Sequence, residues 1–182
     1  MRRPSSLPPE YDIRELRLDD ATALAEAYRR NREHLAPWEP NRDESFFTPA
    51  GQEAAIAGRL AAASSSLGGS WVVTTGEVVV GLFNLVNVVM GSLRSGDIGY
   101  WVDRDHQGRG LATTAVRAVC DEARARGLHR VAAGTLVHNE ASQTVLRRCG
   151  FERYGTAPEY LFIAGAWRDH HLYQRILHRD PL

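Results

Sequence analysis

The segment 97–126 constrains the fold more than any other part of this sequence. It begins with a short apolar stretch over 97–102 that is typical of a strand. A polar turn with Gly108 and Gly110 follows, and then a helical pattern with apolar residues at every fourth position. Those positions are Leu111, Ala115, Val119 and Ala123. The segment therefore predicts a strand, a glycine turn and an amphipathic helix within an α/β (α+β) domain.

The turn before this helix has the features of an anion site. The first amides of a helix have no intrahelical acceptor, and the helix dipole adds a partial positive charge at the same end. Because Gly108 and Gly110 lack a Cβ, a phosphate could approach the main chain closely. The alternative is a plain strand-to-helix turn that uses glycine only for its conformation.

Two common phosphate loops do not fit this turn. A Walker A loop requires Gly-Lys-Ser/Thr, whereas the chain continues from Gly110 to Leu111. A dinucleotide-binding loop requires a third Gly or Ala where Thr113 stands. The pattern Gln107-x-x-Gly110-x-Ala112 instead resembles the pyrophosphate-binding signature of the GCN5-related N-acetyltransferases (GNAT), which bind acetyl-CoA.

The resemblance extends beyond the turn, over about residues 11–177. The sequence is similar to the ribosomal-protein-alanine N-acetyltransferase (RimJ/RimL-like) branch of that family in particular. The residues that carry this likeness are His129-Arg130, His138-Asn139, Ser142, Leu146, Gly150-Phe151, Gly155 and the segment 160–170. The resemblance implies a single-domain GNAT fold over residues 11–182, with a mixed, mostly antiparallel sheet of about seven strands and about four helices. Residues 1–10, rich in proline and serine, are expected to be flexible.

Local patterns predict the same order of elements, β-α-α-β-β-β-α-β-α-β-β. A strand is expected over 13–18, followed by a helix that Asp19 or Asp20 caps and that runs to about Glu33. Thr48-Pro49 predicts the start of a second helix to about residue 65. Later patterns predict strands over 71–75, 78–89, 97–102 and 130–137, a helix capped by Asn139, and a hairpin of 152–163 with 167–177.

Composition narrows the range of functions. The chain has 182 residues, no lysine and a net charge of zero, which argues against a dedicated nucleic-acid binder. Its charge is uneven, because residues 104–153 carry nine Arg and five Asp/Glu around the glycine turn. No apolar run is long enough for a membrane span, and Cys120 and Cys149 do not form a disulfide framework or a zinc pattern. We expect a cytoplasmic enzyme without a metal.

The resemblance implies a set of cofactor-binding residues for acetyl-CoA. Backbone amides of the glycine turn would hold the pyrophosphate, and an amide near Val102, next to Trp101, would bind the thioester oxygen. Asn139 would contact the pantetheine arm, or it caps its helix, or both. The candidate cofactor-binding residues are Trp101, Val102, Gln107, Gly108, Arg109, Gly110, Leu111, Ala112, Thr113, Asn139 and Ser142.

Catalytic candidates are fewer. Ser142 is placed by the resemblance to protonate the leaving thiolate. Asp97, Glu159 and His138 are candidates for the general base, although Asp97 could instead pair with a guanidinium and His138 with a turn.

Candidate acceptor-binding residues are Trp38, Tyr100 and Tyr160. Trp38 is either a packed lid or part of the acceptor wall, and the two tyrosines are either proton donors or core residues. His170 and His171 cannot share a metal ion, because adjacent strand residues point to opposite faces.

Three functions remain open from the sequence. The first is acetyl transfer from acetyl-CoA to the N-terminal α-amine of a protein. The second keeps the fold and cosubstrate but uses a small amine such as an antibiotic, polyamine or amino acid. The third is a non-catalytic acyl-CoA-binding module, against which the intact turn and Ser142 argue. The resemblance also makes a homodimer plausible.

Overall fold

A computed structural model of the chain describes residues 1, 4, 7–65 and 67–180. Seven strands and five α-helices make up the described fold. The strands are β1 (Asp12–Glu15), β2 (Gly69–Thr75), β3 (Val78–Val89), β4 (Ser95–Val102), β5 (Arg130–Leu136), β6 (Glu152–Ile163) and β7 (Ala166–Ile176). The helices are α1 (Ala21–Arg30), α2 (Arg32–Leu35), α3 (Pro49–Ser65), α4 (Leu111–Ala125) and α5 (Glu140–Arg148), with short 3-10 turns at Leu18–Asp20, Glu44–Phe47 and Arg104–His106.

The strands form one sheet in the order β1-β2-β3-β4-β5-β7-β6. Every neighbouring pair is antiparallel except β4 and β5. These two strands pair only from Ser95 opposite Arg130 to Asp97 opposite Ala132, and they separate beyond that point. The mixed, mostly antiparallel sheet of seven strands confirms the predicted fold class. The split between β4 and β5 leaves a gap in the middle of the sheet.

Helices cover both faces of the sheet. On one face, α4 and α5 bury Leu111 and Leu146 against strand residues such as Phe83. On the other face, α1 and α3 bury Leu24 and Ile56 against the sheet. The predicted inward face of α4 is confirmed, since its four apolar positions are at most 2% exposed. Each helix therefore contributes an apolar stripe to one of two cores.

The first third of the chain differs most from the predicted boundaries. The strand expected over 13–18 ends at Glu15, and the helix expected to reach Glu33 ends at Arg30. Asp20 occupies the N-cap position of α1, but its side chain caps no amide of that helix. Its carboxylate instead accepts hydrogen bonds from Arg14 and from the backbone N–H of Arg17. An ion pair with Arg14, six residues earlier, therefore replaces the expected cap of α1.

The N-terminal segment 1–10 is described only in part. Residues 2, 3, 5 and 6 lie outside the described residues, so the predicted flexibility of this segment stays a prediction. Leu7 is buried in the core under α4 and is 3% exposed. Part of the segment thus packs on the domain.

Candidate active site

The glycine turn ends in an exposed row of free amides. Gly110 is the N-cap of α4 with φ +76°, and Gly108 has φ +74°, a region that favours glycine. The first helical bond of α4 runs from the N–H of Thr114 to the carbonyl of Gly110. In the described part of the chain, the six amides of residues 108–113 have no protein acceptor. No atom lies within 4 Å of the space where a Cβ of either glycine would stand. The turn therefore fits a polyanionic group.

A buried carboxylate fixes this turn to α1. Asp103 follows β4 directly, is 0% exposed, and accepts hydrogen bonds from Arg30 Nε and Asn31 Nδ2 at 2.8 Å each. It also accepts from the N–H of Asp105, while Asn31 Oδ1 accepts from the N–H of Arg104. Burial favours the neutral acid, but these bonds outweigh it and hold the pKa of Asp103 below its usual value. The sequence analysis did not identify this network, although an acidic residue at a strand end was its visible signal.

The gap between β4 and β5 exposes backbone amides. The N–H of Asp103 donates to the carbonyl of Val80 on β3. Since alternate amides of a strand point to opposite edges, the N–H groups of Tyr100 and Val102 point away from β3, toward the gap. The strand β5 no longer pairs with β4 at these two positions. The free amide expected near Val102 is thus available to a ligand.

Two hydroxyl groups meet across this gap. The Tyr100 hydroxyl on β4 lies 3.0 Å from Ser142 Oγ on α5 and 3.3 Å from the Ser142 carbonyl oxygen, to which it donates. Asn139 Oδ1 accepts from the N–H of Ser142 at 3.1 Å, which confirms its predicted role as the α5 cap. Burial raises the pKa of Tyr100 well above its ordinary value. Tyr100 therefore keeps its proton and can donate it to a hydrogen bond.

The three predicted base candidates lie apart from this hydroxyl pair. Asp97 lies where β4 still pairs with β5, and its carboxylate accepts from Asn87 rather than from a guanidinium. Glu159 is exposed at a bulge of β6 with φ +47°. His138 is exposed after β5, with its ring 5.4 Å from that of Trp38. No hydrogen bond between described residues joins any of the three to Ser142.

The other predicted acceptor residues lie on either side of the gap. Trp38, in the segment after α2, packs against His138, and Gln107 of the glycine turn contacts His34 of α2 at 2.9 Å. Tyr160 lies beside Gly134 of β5 and its ring is 5.5 Å from that of His170. The α2 region therefore contacts residues that follow both β4 and β5, and the Tyr160 ring reaches β5 from the edge strand β6.

A cavity of about 320 Å³ lies against α1 on the sheet face that α1 and α3 cover. It is lined by Tyr28, Arg32, Leu35, Ala36, Glu39, Pro40, Asn41, Arg42, Phe46 and Phe47. The Tyr28 hydroxyl accepts a hydrogen bond of 3.0 Å from Trp101 Nε1, so the inner wall of the cavity contacts β4. Burial raises the pKa of Tyr28 to about 12. Sequence reasoning gave no role to these lining residues.

Comparison with known proteins identifies the family. Residues 12–152 match the model of the acetyltransferase (GNAT) domain. This chain belongs to the GNAT acetyltransferase family. It is an acetyltransferase, and its resemblance to the RimJ/RimL-like branch is confirmed. The [ribosomal protein uS5]-alanine N-acetyltransferase of Escherichia coli is 37% identical over 154 residues, which are 83% of this chain and 79% of that relative.

Solved structures give the same assignment. A ribosomal-protein-S5-alanine acetyltransferase from Vibrio fischeri superposes with a TM-score of 0.88 at 35% identity, covering 93% of this GNAT chain and 94% of its own. Mycobacterium smegmatis RimJ in complex with CoA-disulfide superposes with a TM-score of 0.86 at 32% identity, covering 91% of this chain and 81% of that one. Both share the split-sheet fold along nearly the whole chain.

Two kinds of feature are absent from the described residues. Among residues 1, 4, 7–65 and 67–180, no three His, Cys, Asp or Glu side chains group as for a metal ion. Within the same ranges, no helix combines the length and apolar character needed to cross a membrane.

Proposed function

We propose that this acetyltransferase transfers the acetyl group of acetyl-CoA to the N-terminal α-amine of a protein, as ribosomal-protein-alanine N-acetyltransferases do. The observation that carries the proposal is the row of six free amides at residues 108–113. The gap between β4 and β5 adds the free amides of Tyr100 and Val102. Two relatives are alanine acetyltransferases of ribosomal protein S5, which supports a protein N-terminus as the acceptor.

The glycine turn would hold the pyrophosphate of acetyl-CoA. Its amides and the α4 dipole favour an anion, and its two glycines allow close approach. The side chains of Gln107 and Arg109 border the same turn and are exposed. The thioester would then lie in the gap beside Trp101 and Val102, with Asn139 at its far side. Binding there would fix the acetyl carbon in one position.

Two features of the gap suit acetyl transfer. The free N–H of Val102 would hydrogen-bond the thioester oxygen, and more strongly as negative charge develops on that oxygen. The Tyr100–Ser142 hydroxyl pair would supply a proton to the departing thiolate sulfur. The backbone N–H of Ser142 donates to Asn139 Oδ1, so the α5 cap fixes the main chain that carries the Ser142 hydroxyl.

A protein N-terminus needs little help to lose its proton. Its pKa is about 7.7–8.0, so on the order of a tenth is neutral at pH 7, whereas a lysine of pKa about 10.4 is almost wholly charged. A carboxylate alone is then a sufficient base. Asp97, Glu159 and His138 stay predictions for this role.

A small amine is the second candidate acceptor. The cavity of about 320 Å³ has the size of a small-ligand site. A shorter match of 69 residues at 38% identity links the chain to an L-methionine sulfoximine/L-methionine sulfone acetyltransferase of Pseudomonas aeruginosa. That match covers 38% of this chain, so the protein acceptor is preferred.

The experiment is a thiol-release assay with acetyl-CoA and a panel of amines. The panel contains peptides with N-terminal Ala or Ser, the same peptides with a blocked N-terminus and a free lysine, and small amines. Transfer to the free N-termini alone supports the proposal. Transfer to small amines alone would replace it with the second candidate, and tight CoA binding without any transfer would indicate a binding module.

Two further expectations follow from the proposed acceptor. A ribosomal protein as substrate would place the reaction in the cytoplasm. A homodimer, expected from the resemblance, stays a prediction that light scattering tests.

A further inference from the structure

We propose that Glu39 binds the ammonium group of the acceptor and removes its proton. This assignment rests on the proposed acetyl transfer to an amine. Glu39 stands between Trp38 and Pro40 in the segment after α2, is half-buried, and lines the 320 Å³ cavity. None of the three base candidates from the sequence lines that cavity.

The Glu39 carboxylate is unpaired within the described chain. No hydrogen bond and no arginine, histidine or amine nitrogen within 4.0 Å engages it, whereas the nearby Glu44 pairs with Arg32. The main chain of Glu39 is nevertheless held, because its carbonyl accepts from the N–H of Ala164 in the β6–β7 turn. A fixed, half-buried carboxylate without a partner is suited to bind a cation from outside the chain.

The lining of the cavity combines aromatic rings with Glu39 and two arginines. Tyr28, Phe46 and Phe47 present aromatic rings to it, with the Tyr28 and Phe46 centroids 4.8 Å apart. Aromatic faces attract ammonium groups, and a carboxylate beside them adds an ion pair. Arg32 and Arg42 already lie over the rings of Phe47 and Phe46, at 4.4 and 4.6 Å. These two guanidinium groups already occupy ring faces, so the Glu39 carboxylate is the group that would hold an added ammonium.

Glu39 is connected to both strands that border the gap. Its neighbour Trp38 packs against His138, which follows β5. Across the cavity, the Tyr28 hydroxyl bonds Trp101 of β4, the residue before the free amide of Val102. The segment of Glu39 thus contacts the end of β5, the cavity wall contacts β4, and the proposal requires the bound ammonium to reach the thioester from this side.

The groups around Glu39 tune its basicity. Burial raises the pKa of Glu39 above its usual value, and the guanidinium groups of Arg42 and of Arg59 on α3 oppose that rise. Tyr28 of α1 stays neutral at ordinary pH. A carboxylate of raised pKa is a stronger base than an exposed one.

The proton and electron pairs balance in the proposed step. The carboxylate takes one proton from the ammonium, which frees the nitrogen lone pair. That lone pair forms the new C–N bond to the acetyl carbon, and the C–S bond breaks with its electron pair on sulfur. The second nitrogen proton passes to the sulfur through the Tyr100–Ser142 hydroxyls. Glu39 then releases its proton to solvent.

The test compares Glu39→Gln with the matched control Glu26→Gln, an exposed acid on α1 that does not line the cavity. The assay measures kcat/KM for a peptide acceptor from pH 6 to pH 10, and calorimetry measures the affinity for CoA. For Glu39→Gln we expect about a 100-fold loss at pH 7 with unchanged CoA affinity. The loss should shrink as the pH passes the pKa of the acceptor amine, because the free neutral amine then needs no base. The control should retain wild-type values.

The outcomes separate this proposal from the proposed function. Wild-type transfer that Glu39→Gln leaves unchanged, or lowers equally at every pH, would overturn the role of Glu39 and leave the acetyltransferase assignment intact. If only small amines are acetylated, the same pH comparison with that amine decides the role of Glu39. Absence of transfer to any amine by the wild-type chain would overturn both proposals.

Discussion

The hydroxyl groups of Tyr100 and Ser142 lie 3.0 Å apart and join β4 to α5 where the sheet has opened. If this pair protonates the leaving thiolate, Ser142→Ala should lower kcat by about 100-fold and change KM for acetyl-CoA little. Steady-state kinetics with a peptide acceptor measures both constants. A change in KM alone would make Ser142 a binding residue.

Thr144→Ala is the control for that substitution, because Thr144 lies on the same helix and, among the described residues, its hydroxyl bonds Arg147 alone. It should retain wild-type kcat. Combining Tyr100→Phe with Ser142→Ala should cost less than the sum of the two single effects, since both hydroxyls belong to one hydrogen-bonded unit. Strict additivity would mean that the two hydroxyls act separately.

Gly110→Glu should abolish CoA binding. A carboxylate would face the pyrophosphate, and a side chain at φ +76° is strained. Gly91→Glu is the control for strain alone, because Gly91 has φ +71° in the turn between β3 and β4 and also has open space around it. Calorimetry should show no CoA binding for the first variant and wild-type affinity for the second. Equal affinity in both would refute the role of the turn.

Asp103→Asn should destabilise the protein by about 3 kcal/mol, because Arg30 would lose its buried partner. The pKa of Asp103 is lower in the folded chain than in the unfolded chain. Its contribution is therefore fully present above the unfolded value of about 3.9 and is lost as the pH falls through the folded pKa. Urea titrations at pH 7 and at acidic pH should show the difference between variant and wild type shrinking in acid.

The exposed Asp105 provides the comparison for Asp103. Its side chain is 65% exposed and pairs only with Arg104, so Asp105→Asn should change the free energy of unfolding by less than about 0.5 kcal/mol. A similar cost for both variants would show that the buried network does not fix the turn to α1.

Thiol reagents should not label the folded protein. Cys120 and Cys149 are buried, and burial raises the pKa of Cys120 to about 12 and that of Cys149 above its usual value. The thiolate of Cys120 is then about 1000-fold rarer than in the unfolded chain. A chromogenic disulfide reagent should detect two thiols only after unfolding. Rapid labelling of the native protein would contradict the burial of these side chains.

Local patterns predicted the parts of the site that lie within one segment. The glycine turn, the inward face of α4 and the Asn139 cap depend on residues a few positions apart, so their spacing is visible in the sequence. The bounds of α3 follow for the same reason, since Thr48 caps it through the N–H of Gly51. In these segments, the local sequence preferences and the tertiary packing favour the same conformation.

The remaining parts depend on residues far apart in the chain. Asp103 meets Arg30 and Asn31 across more than 70 positions, and no periodicity signals that contact. Asp20 is a local exception, because Arg14, only six residues earlier, offers its carboxylate a charged partner in place of the α1 cap. No local pattern singles out Glu39, because its cavity forms only where α1 and the Glu44–Phe47 turn pack together.

The strand order places β7, the last strand made, between β5 and β6. During synthesis, β5 therefore cannot gain its antiparallel neighbour until the final hairpin has folded back. Until then, the edge of β5 and most of β6 offer unpaired backbone groups to other nascent chains. Assembly of this half of the sheet must await the end of translation of β7, so premature termination within β7 would leave an open edge prone to aggregation.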